Sequence, residues 1–205
     1  NSLEDPVLIN ALTPQVLGAR VTHVAAGGNH SGCVTDGGIA FMWGLNRSGQ
    51  CGANIKSDVI LTPKPIDTKR AVQMNGGRAV KVRQLVCGRN HSAFVSTENK
   101  VYTWGATTFG RTGLNVSSSV KVQSIPWELP GINCVKLACG DFHMVAMSES
   151  GSLYSWGYGC DGQPGHSSLL HVRRPRKLDY FYDRDIVIDE IQCGSCYSMA
   201  KDVDG

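Results

Sequence analysis

The sequence has few charged residues, no strong excess of either sign and no long apolar segment. Charged side chains make up 18% of the 205 residues, with 20 basic residues against 17 acidic ones. This balance excludes the basic composition typical of a dedicated nucleic-acid-binding domain. No apolar run approaches the ~18 residues that a membrane-spanning helix needs. An apolar content of 41% excludes a disordered chain, so the composition predicts a folded domain.

Cysteine is too infrequent for a disulfide-rich domain. Eight cysteines in 205 residues fall below the usage of a disulfide-stabilised secreted scaffold. The sequence begins at Asn1 rather than Met and shows no signal-peptide pattern. We therefore expect a fragment or processed product of a longer protein. We expect it inside the cell, cytoplasmic or nuclear, with its cysteines reduced.

Glycine, by contrast, is abundant and periodic: 24 of the 205 residues are glycine, against an average usage of roughly 7%. A Gly-x-x-His tetrad recurs along the chain, and a fourth copy ends in Tyr instead of His. The four tetrads are Gly27 to His30, Gly88 to His91, Gly140 to His143 and Gly194 to Tyr197. A Trp-Gly pair follows each His, with Trp at an offset of 13 residues, and a Gly-x-x-Gly follows each pair. Matched offsets in three copies identify a tandem repeat.

The repeat predicts β structure, because its apolar runs are short, rich in β-branched and aromatic residues and bounded by turn residues. The predicted strands are Val21 to Ala26, Ser31 to Thr35, Ile39 to Trp43, Val82 to Cys87, Ser92 to Thr97, Val101 to Trp104, Val135 to Cys139, Met144 to Ser148, Leu153 to Trp156 and Ile188 to Cys193. No stretch shows a helical period over ten residues. About four short strands per ~50-residue unit is typical of a propeller blade. A β-sandwich is the alternative, but a sandwich does not repeat Trp-Gly at matched offsets.

These motifs resemble the repeat of the regulator of chromosome condensation family. The clearest copies run from Val21 to Gly52, from Val82 to Gly113 and from Val135 to Gly165. The resemblance implies an all-β fold, a β-propeller that usually has seven blades. It also implies that each sequence unit is offset from the structural blade and straddles two blades.

We predict a single propeller section over residues 1–205. Its units are expected at about 21–81, 82–134 and 135–187, with a partial unit at 188–205 and the tail of a preceding repeat at 1–20, where Pro6 to Ile9 matches a Pro-x-x-apolar step of the later units. Seven units of this size would need on the order of 380 residues. We therefore expect about three full repeats of a seven-bladed ring, and a closed four-bladed ring is the alternative.

Residues that suggest catalysis or metal binding are better explained by the repeat. His30, His91 and His143 share one register in successive repeats, so they should lie too far apart to share an ion, and we expect each to brace neighbouring backbone through a ring nitrogen. Cys193-Gly194-Ser195-Cys196 has C-x-x-C spacing, but Cys193 shares the register of a small buried side chain. We predict no metal, no cofactor, no catalytic residue and no enzymatic activity.

The G-x-G-x-x-G sequence from Gly157 to Gly162 follows a predicted strand. A dinucleotide site needs a helix to begin directly after it. Gln163-Pro164-Gly165 follows instead and does not favour a helix, so we do not expect dinucleotide binding.

The two middle residues of each tetrad are the candidate partner-binding positions, because loops on a rigid scaffold carry binding residues. The candidates are Asn29, Arg89, Asn90, Asp141, Phe142 and Ser195. The main hypothesis is a non-enzymatic protein-interaction module. The resemblance implies an alternative: in the family's nuclear exchange factor, acidic and His side chains at some of these positions contact a small GTPase. Asp141 is the only acid here, so a guanine-nucleotide exchange factor for a Ran-like GTPase is the alternative hypothesis.

A second candidate region is basic. Arg173, Arg174, Arg176 and Lys177 cluster beside Pro175, and we predict that they lie in an inserted loop. A solvated loop explains them, and a contact with an acidic partner, phosphate, nucleic acid or chromatin is the alternative.

Overall fold

The computed structural model describes residues 8–205. Over that range no helix is both long and apolar enough to cross a membrane. The predicted step from Pro6 to Ile9 begins outside the described residues.

Three four-stranded antiparallel sheets and one two-stranded hairpin follow one another along the chain, with the strands of each sheet in sequence order. Sheet I contains β1 Val21–Ala26, β2 His30–Thr35, β3 Ala40–Leu45 and β4 Val59–Pro65. Sheet II contains β5 Val82–Cys87, β6 His91–Ser96, β7 Lys100–Ala106 and β8 Val122–Asn133. Sheet III contains β9 Lys136–Cys139, β10 His143–Met147, β11 Leu153–Gly157 and β12 Val172–Lys177, and the hairpin contains β13 Ile188–Cys193 and β14 Ser198–Asp202.

Short helices lie before three of these groups of strands. They are α1 Pro14–Leu17, α2 Lys69–Met74 and α3 Asp179–Tyr182, with single 3-10 turns at Asn10–Leu12 and Thr108–Gly110. None reaches the length of a stable isolated helix, so the secondary structure is dominated by strands.

The constant offset between His and Trp-Gly is a consequence of strand register. In sheet I, His30 pairs with Gly44 across β2 and β3. In sheet II, His91 pairs with Gly105 across β6 and β7, and sheet III repeats the pairing. Because one residue inserted into this hairpin would move every side chain to the opposite face of the sheet, the spacing is fixed.

Successive sheets pack face to face and bury one apolar cluster at each contact. We call the contact of sheets I and II the first junction, that of sheets II and III the second junction, and that of sheet III and the hairpin the third junction. Buried residues at the three junctions include Met42, Leu85, Phe94 and Trp104 at the first, Leu137, Met144 and Trp156 at the second, and Val145, Leu153 and Ile191 at the third. Stacked four-stranded sheets of this kind are the blades of a β-propeller, which confirms the predicted fold class. The seven-bladed ring stays a prediction.

The predicted units begin at the first strand of a sheet, so each of them holds one complete sheet. One expectation about the units is wrong. The segment with Arg173, Arg174, Arg176 and Lys177 is not an inserted loop: it is the edge strand β12, paired with β11.

Candidate functional site

The four tetrad loops form one continuous row. The Gly28 N–H donates to the Gly88 carbonyl at 3.1 Å, and the Arg89 N–H donates to the Asp141 carbonyl at 3.2 Å. The Asp141 N–H then donates to the Ser195 carbonyl at 2.9 Å. Each bond joins neighbouring repeats, so the loops are held side by side. We call their shared surface the tetrad face.

Under this face, two positions of each repeat require glycine, because neighbouring atoms occupy the space that a Cβ would need. A Cβ at Gly88 would lie 2.2 Å from Cε1 of His91 and 2.7 Å from the Gly140 carbonyl oxygen. A Cβ at Gly105 would lie 2.6 Å from the Asn90 carbonyl oxygen, and Gly105 has a φ of +103°, a region that disfavours other residues. The frame of the loops is therefore fixed by backbone contacts, which leaves their middle side chains free to differ.

A buried hydrogen-bond relay crosses the first junction. Nε2 of His30 lies 2.8 Å from Oγ of Ser92, and the Ser92 hydroxyl donates to the Gln50 carbonyl at 2.8 Å. Because the hydroxyl proton is used there, Nε2 of His30 must donate to Ser92. The Trp104 indole N–H donates to the same Gln50 carbonyl at 2.8 Å. Burial lowers the pKa of His30 to about 4, so its ring is neutral at physiological pH.

The second junction uses different atoms in the same geometry. Nε2 of His91 lies 3.3 Å from Sγ of Cys139, because Met144 occupies the register of Ser92 and offers no hydroxyl. The Trp156 indole N–H donates to the Arg111 carbonyl at 3.1 Å. Burial lowers the pKa of His91 well below its ordinary value, and burial raises the pKa of the Cys139 thiol well above its own.

These contacts define the role of the tetrad histidines. At the third junction, Nε2 of His143 lies 3.0 Å from Oγ of Ser198, and Ser198 donates to the Gln163 carbonyl at 2.8 Å. The histidines are structural, as predicted, but the predicted backbone partner is wrong, since each Nε2 contacts a side chain of the next repeat.

The tetrad face brings four of the six candidate residues together. Oδ2 of Asp141 accepts from the Ser195 hydroxyl at 2.8 Å and pairs with Nη1 of Arg89 at 3.5 Å. The Arg89 guanidinium also lies 5.6 Å from the ring centroid of Phe142. Asn29 and Asn90 are on the same face, but their side chains make no hydrogen bond within residues 8–205. Partner binding by all six remains a prediction.

Residues outside the tetrads, which the tetrad pattern does not reveal, pack around Phe142. Phe109, Tyr158 and His171 form an aromatic cluster with it, with centroids 5.1 Å apart for Phe109 and Tyr158 and 4.9 Å apart for Tyr158 and His171. The Phe109 and Phe142 rings meet edge to face at 6.2 Å, an arrangement that aromatic rings favour.

Arg111 lies beneath this cluster. It is 3% exposed, and its guanidinium lies 4.6 Å from the Phe142 centroid. Its Nε donates to the Thr108 carbonyl at 3.0 Å and Nη2 donates to the Thr108 hydroxyl at 2.7 Å. No carboxylate of the described residues pairs with it. Burial, and then the charge of Arg89, lowers the pKa of Arg111 to about 10, while Asp141 opposes the shift. Arg111 is therefore charged at neutral pH.

A signal in the repeat could have identified this site. The residue after the first glycine of Gly-x-x-Gly is Gln50 in the first repeat and Gln163 in the third, but Arg111 in the second. The residue before that glycine is Ser48, then Phe109, then Asp161. A residue that departs from the repeat marks a position where the shared structure does not determine the side chain.

Two of the four basic residues of β12 contact different side chains. Arg174 donates to the amide oxygen of Asn115 at 2.7 and 3.0 Å. The Lys177 ammonium lies 3.4 Å from the Tyr182 ring centroid, and the backbone of Arg173 packs against Gly110. The Arg174 and Lys177 side chains therefore have separate neighbours, and ligand binding by β12 stays a prediction.

The described residues hold no group of three His, Cys, Asp or Glu side chains that could bind a metal ion. Cys193 is half-buried and Cys196 is exposed, and both are free thiols. After the G-x-G-x-x-G sequence the next helix of the described chain is α3, which begins at Asp179. The geometry offers no cradle at a helix terminus for a pyrophosphate.

Comparison with known proteins identifies the repeat. A family model described as Regulator of chromosome condensation (RCC1) repeat matches residues 37–95, 98–147 and 150–200. A second model of the same repeat matches residues 21–50, 82–111 and 134–163. Each match of the first model covers the last two strands of one blade and the first two of the next. The offset between family repeat and blade is thus present in these boundaries.

Two human proteins are similar in sequence. The E3 ubiquitin-protein ligase HERC2 is 33% identical over 190 residues, which cover 92% of this chain and 4% of HERC2. RCC1 domain-containing protein 1 is 30% identical over 194 residues, which cover 93% of this chain and 43% of that protein. The chain thus spans less than half the length of either relative.

Among solved structures, Prp20p from Saccharomyces cerevisiae, described together with its binding properties to Gsp1p and histones, has a similar fold. The TM-score is 0.77 at 24% sequence identity, covering 89% of this chain and 44% of Prp20p.

Proposed function

This chain belongs to the Regulator of chromosome condensation (RCC1) repeat family, and from that premise we propose that it is a non-enzymatic interaction module. In this proposal, the propeller section binds a protein partner through the tetrad face.

One observation carries the proposal: recurring backbone contacts between neighbouring repeats present side chains that vary. The inter-repeat bonds of Gly28, Arg89 and Asp141 fix the loops in a row, whereas the residue at the first middle position of the tetrad differs in all four repeats. A rigid frame presents a binding surface with little loss of conformational entropy. This arrangement favours recognition of a partner.

Differential capture tests the proposal. Wild-type protein is compared with a face variant, Arg89→Ser with Asp141→Ser, and with the rim variant Leu61→Ser, which changes a residue that is 88% exposed on β4. We expect a protein retained by the wild type and the rim variant, and lost with the face variant. Retention by the face variant and loss with the rim variant would place binding on another surface.

We further propose a second candidate, guanine-nucleotide exchange on a small GTPase, because one acid lies on the tetrad face. Asp141 is held in place by Ser195 and Arg89, and Prp20p, a protein of similar fold, has described binding to Gsp1p. Such a factor would open the nucleotide site without covalent chemistry. Nucleotide release from a panel of small GTPases should accelerate, and Asp141→Ala should abolish the acceleration. No acceleration across the panel would exclude this candidate.

We also propose an intracellular location, for which the cysteines give support. Burial raises the pKa of the Cys51 thiol to about 11 and that of Cys134 to about 12. Buried neutral thiols pack as small apolar side chains and suit a reducing compartment. Immunofluorescence of the tagged full-length protein tests the location.

A further inference from the structure

Phe109, Arg111 and Phe142 each differ from the residues at the same position in the other repeats. These three residues meet at one place on the tetrad face, above the second junction. We define the arginine–aromatic patch as Arg89, Phe109, Arg111, Phe142, Tyr158 and His171. We propose that this patch binds an acidic segment of the partner protein, a carboxylate next to an apolar side chain. The inference rests on the proposed function, because it names the partner chemistry that this part of the tetrad face recognises.

The backbone of the patch is held in an unusual conformation. Phe109 has a φ of +63°, a left-handed conformation that bulky residues rarely adopt. Neither Ser48 nor Asp161, its counterparts in the other repeats, has a positive φ. In this turn the Thr108 carbonyl accepts the Nε proton of Arg111 at 3.0 Å. The turn thus holds a buried guanidinium beside a ring that is 40% exposed.

The charges of the patch are not balanced. Arg89 and Arg111 both lie against Phe142, at 5.6 Å and 4.6 Å, and the charge of Arg89 lowers the pKa of Arg111. Among the described residues, the acid that pairs with Arg89 is Asp141, which also accepts from Ser195. A further carboxylate would relieve the repulsion and form charge-assisted hydrogen bonds, which are strong in a partly buried setting.

The aromatic rings supply the apolar half of the contact. Phe142, Tyr158 and His171 are half-buried and Phe109 is exposed, so their edges remain accessible. The His171 ring accepts from the Gly159 N–H at Nδ1, 3.3 Å away, which places the proton of the neutral ring on Nε2. Aromatic and arginine side chains in a preformed patch are typical of interface hot spots.

Other ligand chemistries fit less well. Two guanidinium groups against one ring would repel a quaternary ammonium ligand, which an aromatic cage alone would favour. A nucleic-acid backbone needs a row of cations, whereas this patch has two arginines and the carboxylate of Asp141. A single acidic segment of a protein matches both the number of charges and the apolar surface.

The test uses fluorescence anisotropy of two labelled peptides at physiological ionic strength. One peptide has a core of alternating Glu with Leu or Phe, and the other replaces every Glu by Gln. A single-stranded DNA oligonucleotide of similar length is the third probe. We expect the acidic peptide to bind at least ten-fold more tightly than the neutral peptide and the oligonucleotide.

The critical variant is Arg111→Gln, because Gln occupies this position in the other repeats and the variant should fold. It should weaken the acidic peptide at least ten-fold. Arg184→Gln is the matched control, since it removes the same charge and a guanidinium that lies 4.0 Å from the Tyr180 centroid, and it should change nothing. Equal binding of both peptides, tighter binding of the oligonucleotide, no detectable binding of the acidic peptide, or an unaffected Arg111→Gln variant would overturn the inference.

Failure of the inference and failure of the proposed function are distinguishable. If the acidic peptide does not bind, but a partner is still lost with the face variant and kept by the rim variant, only the acidic chemistry is wrong. If no partner depends on the tetrad face, the proposed function fails as well.

Discussion

The first and second junctions share their interior contacts but differ on the surface above them. In both, Nε2 of a tetrad histidine contacts a side chain of the next repeat, and an indole N–H donates to the backbone of Gly-x-x-Gly. On the surface, the second junction has Phe109, Phe142 and Tyr158 where the first has Ser48, Asn90 and Ala106. Strand packing therefore fixes the interior of the repeat, whereas the residues on its surface change from one junction to the next.

Substitution of the tetrad glycines gives the largest expected effect and compares the interiors of the first and second junctions. Gly27→Ala and Gly88→Ala should each reduce the free energy of unfolding by about 3 kcal/mol or more. At both positions the new Cβ would lie 2.2 Å from an existing atom, the Gly88 carbonyl oxygen for Gly27 and Cε1 of His91 for Gly88. Urea unfolding measures the loss.

Gly37→Ala is the control for these glycines, because its nearest atom would lie 3.8 Å away and it should be nearly neutral. If one junction glycine tolerates alanine as well as Gly37 does, the two interiors are not equivalent.

The buried histidines predict acid sensitivity at both junctions. The unfolded pKa of His30 is 6.5 and the folded value is about 4, so the unfolded chain binds the proton first. The contribution of neutral His30 to the free energy of unfolding is fully present above pH 6.5. That free energy falls by about 3 kcal/mol for this residue as the pH drops towards 4. His30→Gln and His91→Gln should each reduce this decline in urea midpoints measured across the same pH range. A decline that neither variant changes would contradict the assignment.

The indole bonds should distinguish the junctions. Trp156→Phe leaves the Arg111 carbonyl without its donor, whereas after Trp104→Phe the Gln50 carbonyl keeps the Ser92 hydroxyl. An unpaired buried carbonyl is costly, so Trp156→Phe should destabilise by about 1 kcal/mol more than Trp104→Phe. Chemical denaturation of both variants gives the difference, and an equal loss would show that the carbonyl finds another donor.

The smallest expected effect is at the cysteines. Cys87 and Cys139 share one register, but the Cys139 sulfur lies 3.3 Å from Nε2 of His91 and Cys87 has only a weak contact of 4.0 Å with Ser92. Cys139→Ala should therefore cost about 1 kcal/mol more than Cys87→Ala. Thermal unfolding of the two variants tests this difference. A larger loss for Cys87→Ala would show that the contact between Cys139 and His91 does not stabilise the second junction.

The sequence predicted the inner three strands of each blade because period and spacing are set by local register. The fourth strands were harder to place, and the physical reason is their proline content. Pro63 lies in β4, Pro126 in β8 and Pro175 in β12. Proline removes a ladder donor and is tolerated at sheet edges, so these strands lack the composition that marks a strand.

The candidate site was predictable in part for a related reason. Asp141 and Phe142 follow from the tetrad register, and Arg111 could have been found as a departure from Gln50 and Gln163. His171 has no such signal, because it meets Phe109 only through the packing of the loop before β12 against the preceding blade. Contacts of that kind come from tertiary structure and not from spacing.

Site-specific photocrosslinking can show whether the surface above the second junction is the specialised one. The photoreactive residue p-benzoylphenylalanine is placed at Phe109 in one sample and at its counterpart Ser48 in the other, and both are irradiated in the same cell extract. We predict that one protein crosslinks to position 109 and not to position 48. Equal crosslinking of that protein from both positions, or crosslinking from position 48 alone, would show that the surface above the second junction is not the specialised one.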